Sequence, residues 1–266
     1  MVDVFKKGNI FPMLAFDHRS SFVKLLTGNG AEPTVEEIVQ VKQDILRVVA
    51  LYMSGTLIDE DYGLPALKGM HSLVPYLLPL EKTGYTDKEG ERITEILATP
   101  KQLIEKGAQG AKLLLYMNHN VPSWSSQIKT AKNQAFLCKE ANLPFFLEFV
   151  LYTVGDTKPG TVFETVQKAI EDGLTCDVWK LPYPGSKEEC EKITTLVGST
   201  PWIVLTGGTT FEEFNTQYHV AKDAGCSGFL AGRALWQEVG TLWRQEKEYK
   251  DFLNQELPRR FKALLS

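Results

Sequence analysis

The sequence predicts an α/β fold, a single (β/α)8 TIM barrel spanning residues 1–266, and three observations lead there. Short apolar runs each end in a polar residue, helical patterns separate them, and glycines or capping boxes mark the joints. Such alternation implies parallel strands joined by right-handed crossovers, and eight runs in 266 residues favour closure into a barrel. The rival is an open doubly wound sheet, which calls for a glycine fingerprint after its first strand. Asp17-His18-Arg19-Ser20-Ser21 contains no glycine.

Residues 10–16 form the first apolar run and stop at Asp17-His18-Arg19. After a polar loop, Thr34-Val35-Glu36-Glu37 has capping-box spacing, and Ile38, Val41, Ile45, Val48 and Val49 continue at helical period. Residues 55–58 lead into Asp59-Glu60-Asp61. Residues 76–80 lead into Glu81-Lys82-Thr83-Gly84, although Pro79, having no N–H for a ladder, argues against a central strand. The stretch 85–92 is too polar for a core and reads as a loop at the barrel mouth.

From residue 98 the rhythm is regular. A helix over 100–106 stops at Gly107 before strand 111–116, and a helix over 127–141 precedes strand 144–150. Thr161-Val162-Phe163-Glu164, Ser186-Lys187-Glu188-Glu189 and Thr210-Phe211-Glu212-Glu213 open the next helices, which end near Gly173, Gly198 and Gly225. Strands 176–181, 202–205 and 227–231 follow in turn. Helices over 235–243 and 249–265 close the outer ring, and the aromatic segment around Trp236, Trp243 and Phe252 is expected to pack on the barrel or on another subunit, which leaves a homo-oligomer open.

Net charge is −4, and no basic cluster interleaves with aromatics, so neither nucleic acid nor an anionic membrane is expected as a partner. Cys138, Cys176, Cys190 and Cys226 contain no C-x-x-C pair and read as reduced core thiols. No run approaches the roughly 18 apolar residues of a membrane span, and the expectation is a soluble, cytoplasmic protein. His18, His71, His119 and His219 show neither H-x-H nor H-x-x-x-H spacing, which argues against a zinc site; no metal or cofactor is expected.

The chemistry centres on Cys176-Asp177-Val178-Trp179-Lys180-Leu181, an apolar strand ending on one lysine. At the carboxyl end of a parallel barrel strand a side chain points into the ligand mouth. Burial there, or a nearby cation, lowers an amine's pKa and leaves a nucleophile fit for Schiff-base chemistry; the plainer alternative is a lysine that snorkels to water. Asp17, Lys112 and Glu148 would converge with Lys180 on the same mouth. Glu148, between Leu147 and Phe149, has the surroundings of a general acid/base, or else of a structural ion-pair partner. Lys112 lies early in its run and, if inward, supplies the depressing charge. His18 joins as a neighbour of Asp17. Thr206-Gly207-Gly208 and Ala231-Gly232-Arg233, each a tight turn on its own, together describe a phosphate cup in which backbone N–H groups, helix N-termini and one guanidinium meet an anion.

Leu14-Ala15-Phe16-Asp17-His18-Arg19, Glu81-Lys82-Thr83-Gly84-Tyr85, Lys112-Leu113-Leu114-Leu115-Tyr116, Phe146-Leu147-Glu148, Leu205-Thr206-Gly207-Gly208 and the run 228–236 resemble the tagatose-1,6-bisphosphate aldolase family. The related sulfofructose-phosphate aldolases and an aldolase-like domain associated with inositol breakdown share the pattern, the latter closest in Asp17-His18-Arg19-Ser20-Ser21-Phe22. The resemblance spans nearly the whole chain and implies a class I aldolase of (β/α)8 fold, cleaving a phosphorylated ketose to dihydroxyacetone phosphate and an aldehyde. It matches Lys180 to the Schiff-base lysine, Glu148 to the acid/base, Asp17 and Lys112 to substrate contacts, and Thr206, Gly207, Gly232 and Arg233 to the phosphate cup. A non-catalytic phosphosugar-binding relative and an imine-independent isomerase remain as alternatives.

Overall fold

The structure is a computed structural model that describes residues 2–28, 30–68, 70 and 74–266; His71 lies outside the described residues. Eight parallel strands close into a barrel: β1 (Phe11–Phe16), β2 (Gly55–Ile58), β3 (Tyr76–Pro79), β4 (Gly110–Met117), β5 (Phe145–Leu151), β6 (Val178–Leu181), β7 (Trp202–Leu205) and β8 (Gly228–Ala231). Their order around the barrel is β1-β8-β7-β6-β5-β4-β3-β2, so β1 pairs with both β2 and β8 and no edge is left open. The open-sheet alternative is thereby excluded.

The outer ring is made of α1 (Ser20–Thr27), α2 (Val35–Val49), α3 (Gly63–Lys68), α4 (Pro100–Glu105), α5 (Trp124–Glu140), α6 (Val162–Glu171), α7 (Lys187–Val197) and α8 (Phe211–Asp223). The capping boxes at Thr34, Thr161 and Thr210 form as their spacing requires, and Ser186 caps α7 through its side chain alone. The chain then runs through α9 (Arg233–Trp236), α10 (Val239–Leu242), α11 (Glu246–Asp251), a π-helical turn (Phe252–Glu256) and α12 (Leu257–Leu265).

Strands buried on both faces have two cores to fill. The interior holds Phe11, Met13, Ala15, Leu57, Leu77, Phe146, Val178, Ile203 and Leu230, and Phe5 from the N-terminal turn (Val2–Phe5) closes it from below, its ring 5.4 Å from that of Phe146. The outer core lies between strands and helices and includes Phe16, Leu113, Phe149, Trp179, Val204 and Trp236.

Two expectations change, and two points left open are resolved. The polar loop after β1 contains α1, whose Phe22 and Leu26, four residues apart, bury one face while serines and lysine mask the pattern. Residues 85–92 form much of a small antiparallel hairpin, Thr86–Lys88 with Glu91–Ile93. Pro79 sits inside a barrel strand without penalty. Leu80 N–H donates to Lys112 O, so by alternation the Pro79 nitrogen faces β2, where pairing ends at Leu57–Leu77. Trp236 and Trp243 turn onto their own barrel, the Trp243 indole donating to Leu26 O.

Phe5→Ala is expected to lower the unfolding free energy by about 3–5 kcal/mol, as for other large-to-small core changes. Urea denaturation of the two proteins measures it.

Candidate active site

Side chains alternate along each strand, and this decides what reaches the mouth. Asp17, Glu81, Lys112, Tyr116, Glu148, Lys180, Leu230 and Gly232 all line one cavity of about 540 Å³ at the C-terminal end of the barrel. Glu148 and Lys180 are register partners across β5 and β6, and Lys180 Nζ lies 2.8 Å from Glu148 Oε2. Lys112 starts deeper, as the third residue of β4, and its long stem rises through the barrel. Its Nζ stands 3.0 Å from Asp17 Oδ2 and 3.6 Å from Glu148 Oε2, and is hydrogen-bonded to Glu81 Oε1. Lys112 and Lys180 are 2% and 4% exposed, so both amines are held by carboxylates rather than by bulk solvent.

Burial disfavours the Lys112 ammonium, but Asp17, Glu81 and Glu148 more than reverse this and hold its pKa well above the ordinary lysine value. Burial likewise pushes the Asp17 carboxyl up, and the charges of Lys112, His18 and Lys180 outweigh it, leaving that group well below the usual carboxylate range. Glu81 goes the other way. Burial there exceeds the pull of Lys112, its pKa rises, and Oε2 is buried with no hydrogen-bond partner. The difference is one of company: Lys112 has three anions around it, whereas Glu81 has a single close cation and the Asp17 charge nearby. Between Asp17 and Glu81, Glu81 is the one that more readily keeps a proton.

His18 follows Asp17, its ring centroid 5.0 Å from that of Trp236 in an edge-to-face arrangement. Burial pushes the imidazole down to about 4; Asp17 opposes this, while Lys42, Arg233 and Lys180 add to it. The ring is therefore neutral at pH 7.

Thr206, Gly207 and Gly208 at the β7 exit and Gly232 and Arg233 at the β8 exit line the same cavity. Gly207 and Gly208 have φ of 58° and 86°, left-handed values that strain any residue with a Cβ. Two parts of the cup differ from expectation. Ala231 does not line it: alternation turns its methyl into the outer core, and Leu230 and Gly232 face the mouth instead. At the N-terminus of α8 the capping box already engages Thr210 N–H and Glu213 N–H, which leaves fewer donors there for an anion.

The sequence reading passed over Glu81, Arg19 and Tyr116 as site residues, and all three line the cavity. For Glu81 the signal was present as the alternation Leu77, Pro79, Glu81, and Pro79 hid it. The hairpin at the rim is pinned by Arg92, whose guanidinium lies 4.8, 5.7 and 5.2 Å from the rings of Tyr85, Tyr116 and Tyr152. Among the described residues no helix is long and apolar enough to cross a membrane, and no cluster of three or more His, Cys, Asp or Glu could hold a metal ion.

Comparison with known proteins places the chain in a family. The model of the DeoC/LacD family aldolases matches residues 11–238. Tagatose 1,6-diphosphate aldolase of Staphylococcus haemolyticus is 28% identical, covering 90% of this chain and 84% of its own length. Tagatose 1,6-diphosphate aldolase 2 of Enterococcus faecalis is 29% identical over 86% of this chain and 79% of its own. An archaeal fructose 1,6-bisphosphate aldolase superimposes with a TM-score of 0.70 at 20% identity, covering 99% of this chain and 95% of that one, which reflects the shared barrel. A match over most of the chain, joined to a lysine-carboxylate cluster at the barrel mouth, makes this protein a member of the DeoC/LacD aldolase family.

Proposed function

We propose that this aldolase is of the class I type and cleaves a phosphorylated ketose through an iminium on Lys180. One observation carries the reading: the Lys180 amine lies 2.8 Å from a carboxylate, inside a cavity that also holds the glycine-lined cup. The names of the curated relatives, aldolases of a ketose bisphosphate, support the substrate class.

The residues then take definite roles. Glu148 accepts a proton from Lys180, and the freed lone pair attacks the substrate carbonyl carbon. A second proton passes from the attached nitrogen to the carbinolamine oxygen, Glu148 returns the first to the hydroxyl so formed, which leaves as water, and an iminium remains. Glu148, again a carboxylate, takes the proton of the C4 hydroxyl as the C3–C4 bond breaks; the aldehyde departs, the bonding pair enters the iminium to give an enamine, and the proton on Glu148 is the one then delivered to C3. Protonation at C3 and hydrolysis release dihydroxyacetone phosphate and restore the amine. Thr206, Gly207, Gly208, Gly232 and Arg233 hold the phosphate of that half. Asp17, His18 and Lys112 contact the substrate along the cleaved bond, and the aldehyde half faces the exits of β1 to β3. A charged Lys112 beside neutral His18 gives this surface both a fixed cation and an uncharged donor or acceptor.

Borohydride added with dihydroxyacetone phosphate is expected to place a reduced adduct on the peptide carrying Lys180. Mapping the adduct to another lysine overturns the assignment, as does cleavage that survives Lys180→Met. Glu148→Gln is expected to lower kcat by about 10²–10⁴-fold, the range for a general acid/base, measured by coupled detection of dihydroxyacetone phosphate.

The His18 imidazole has a folded-state pKa lowered to about 4 against an unfolded value near 6.5, so between these the unfolded chain binds more protons. Its contribution to stability is complete above about pH 6.5 and is lost as pH falls through about 4. Urea unfolding across this window is expected to show that loss in the parent protein and a flatter profile in His18→Asn. An NMR titration of His18 with a midpoint near 6.5 contradicts it.

A further inference from the structure

The mechanism leaves one fully buried cation unused. Lys42 sits on the apolar stripe of α2, among Ile38, Val41, Ile45 and Val49, and is 0% exposed. Its Nζ donates to Phe16 O at 2.8 Å and His18 O at 2.9 Å and is paired with Asp59 Oδ2. These are the three bonds an ammonium can give. The rings of Phe16 and Phe22 lie 4.6 and 5.1 Å from it.

The two carbonyls it grips flank Asp17. Asp59 is itself fixed, Oδ1 accepting from Tyr62 N–H at 2.7 Å and Oδ2 from Gly63 N–H at 3.2 Å, where α3 begins. Just upstream, Thr56 donates to Leu14 O at 3.0 Å. A continuous line of bonds thus runs from the start of α3 through Asp59 and Lys42 to the backbone on both sides of Asp17. That backbone sets the carboxylate 3.0 Å from Lys112. A buried ion pair is a poor way to gain stability, because desolvation consumes most of the Coulombic return and an apolar filling does as well. What it does supply is direction, since an ammonium that must satisfy three acceptors has one position.

We propose that Lys42 is a positioning residue for the aldol step: by holding the carbonyls of Phe16 and His18 it aims the Asp17 carboxylate at Lys112. The inference rests on the reading in which Asp17 contacts substrate. Lys42 does not line the cavity and so never touches the substrate.

Lys42→Met alone strands the Asp59 charge, so the test uses Lys42→Met/Asp59→Asn in the full chain, alone and combined with Asp17→Asn. Cleavage of tagatose 1,6-bisphosphate is expected to fall by about 10²-fold in kcat, the effect of misplacing a contacting group by about 1 Å. Borohydride trapping of dihydroxyacetone phosphate on Lys180 is expected to persist. In the Asp17→Asn background the same pair of changes is expected to cost less than about two-fold, the margin within which independent effects add. A loss of equal size in both backgrounds overturns the proposal. A crystal structure supplies the second criterion: Asp17 leaves Lys112 in the variant, and a carboxylate still in hydrogen-bond contact overturns it as well.

Should that pair not fold, Lys42→Gln/Asp59→Asn keeps donors for the carbonyls with a shorter reach and is read by the same criteria, with an intermediate loss that disappears beside Asp17→Asn. If the parent protein neither cleaves the sugar nor forms the adduct, the aldolase mechanism fails, and the Asp17–Lys112 contact in the variant structure alone decides the role of Lys42.

Discussion

The site depends on one ammonium with three carboxylates around it. Lys112 reaches Asp17 from the β1 exit, Glu81 from the β3 exit and Glu148 from β5, and Glu148 in turn carries Lys180. Inside a barrel these charges cannot be left to solvent, so each must be placed by the strand that bears it. The closed sheet provides that placement. Its register brings Glu148 beside Lys180, and its alternation turns Asp17, Glu81 and Lys112 to the same side of the wall. The amine proposed to attack the substrate is thus coupled through a single carboxylate oxygen to a cation whose own charge is secured by two further anions.

Much of this was legible in the sequence, and the exceptions have physical reasons. Capping boxes at Thr34, Thr161 and Thr210 fixed helix starts because two backbone donors are satisfied locally, and local rules survive folding. The strand runs could be found because both faces of each strand are dry. The mouth was harder. Glu81 was hidden by Pro79, which is harmless where the neighbouring ladder has ended, and Ala231 was assigned from adjacency to Gly232 although alternation sends it outward. Lys112 looked too deep, and only the length of its side chain lifts its charge to the rim. Lys42 was not singled out in the sequence, because the partners that satisfy it are 17 to 26 positions away along the chain.

The two halves of the mouth are built differently. The β7 and β8 exits offer glycine backbone and one exposed arginine, a surface that fits a compact anion without depending on side-chain order. The β1 to β3 exits are made of interlocked side chains: the Lys42–Asp59 pair, Trp236 against His18, and the hairpin held where Arg92 meets three tyrosines. On the function proposed above, this is the half that would tell one hydroxyl arrangement from another, because a rigid polar wall rejects a misfitting stereoisomer by leaving its own groups unpaired.

The Phe5 ring, seated beneath Phe146, gives the barrel a sealed floor. The catalytic chamber is consequently a blind well, entered and left by the same opening. If the iminium proposed above forms, the tethered half must wait while the untethered fragment diffuses past the rim, so architecture sets the order of departure before any difference in affinity is considered.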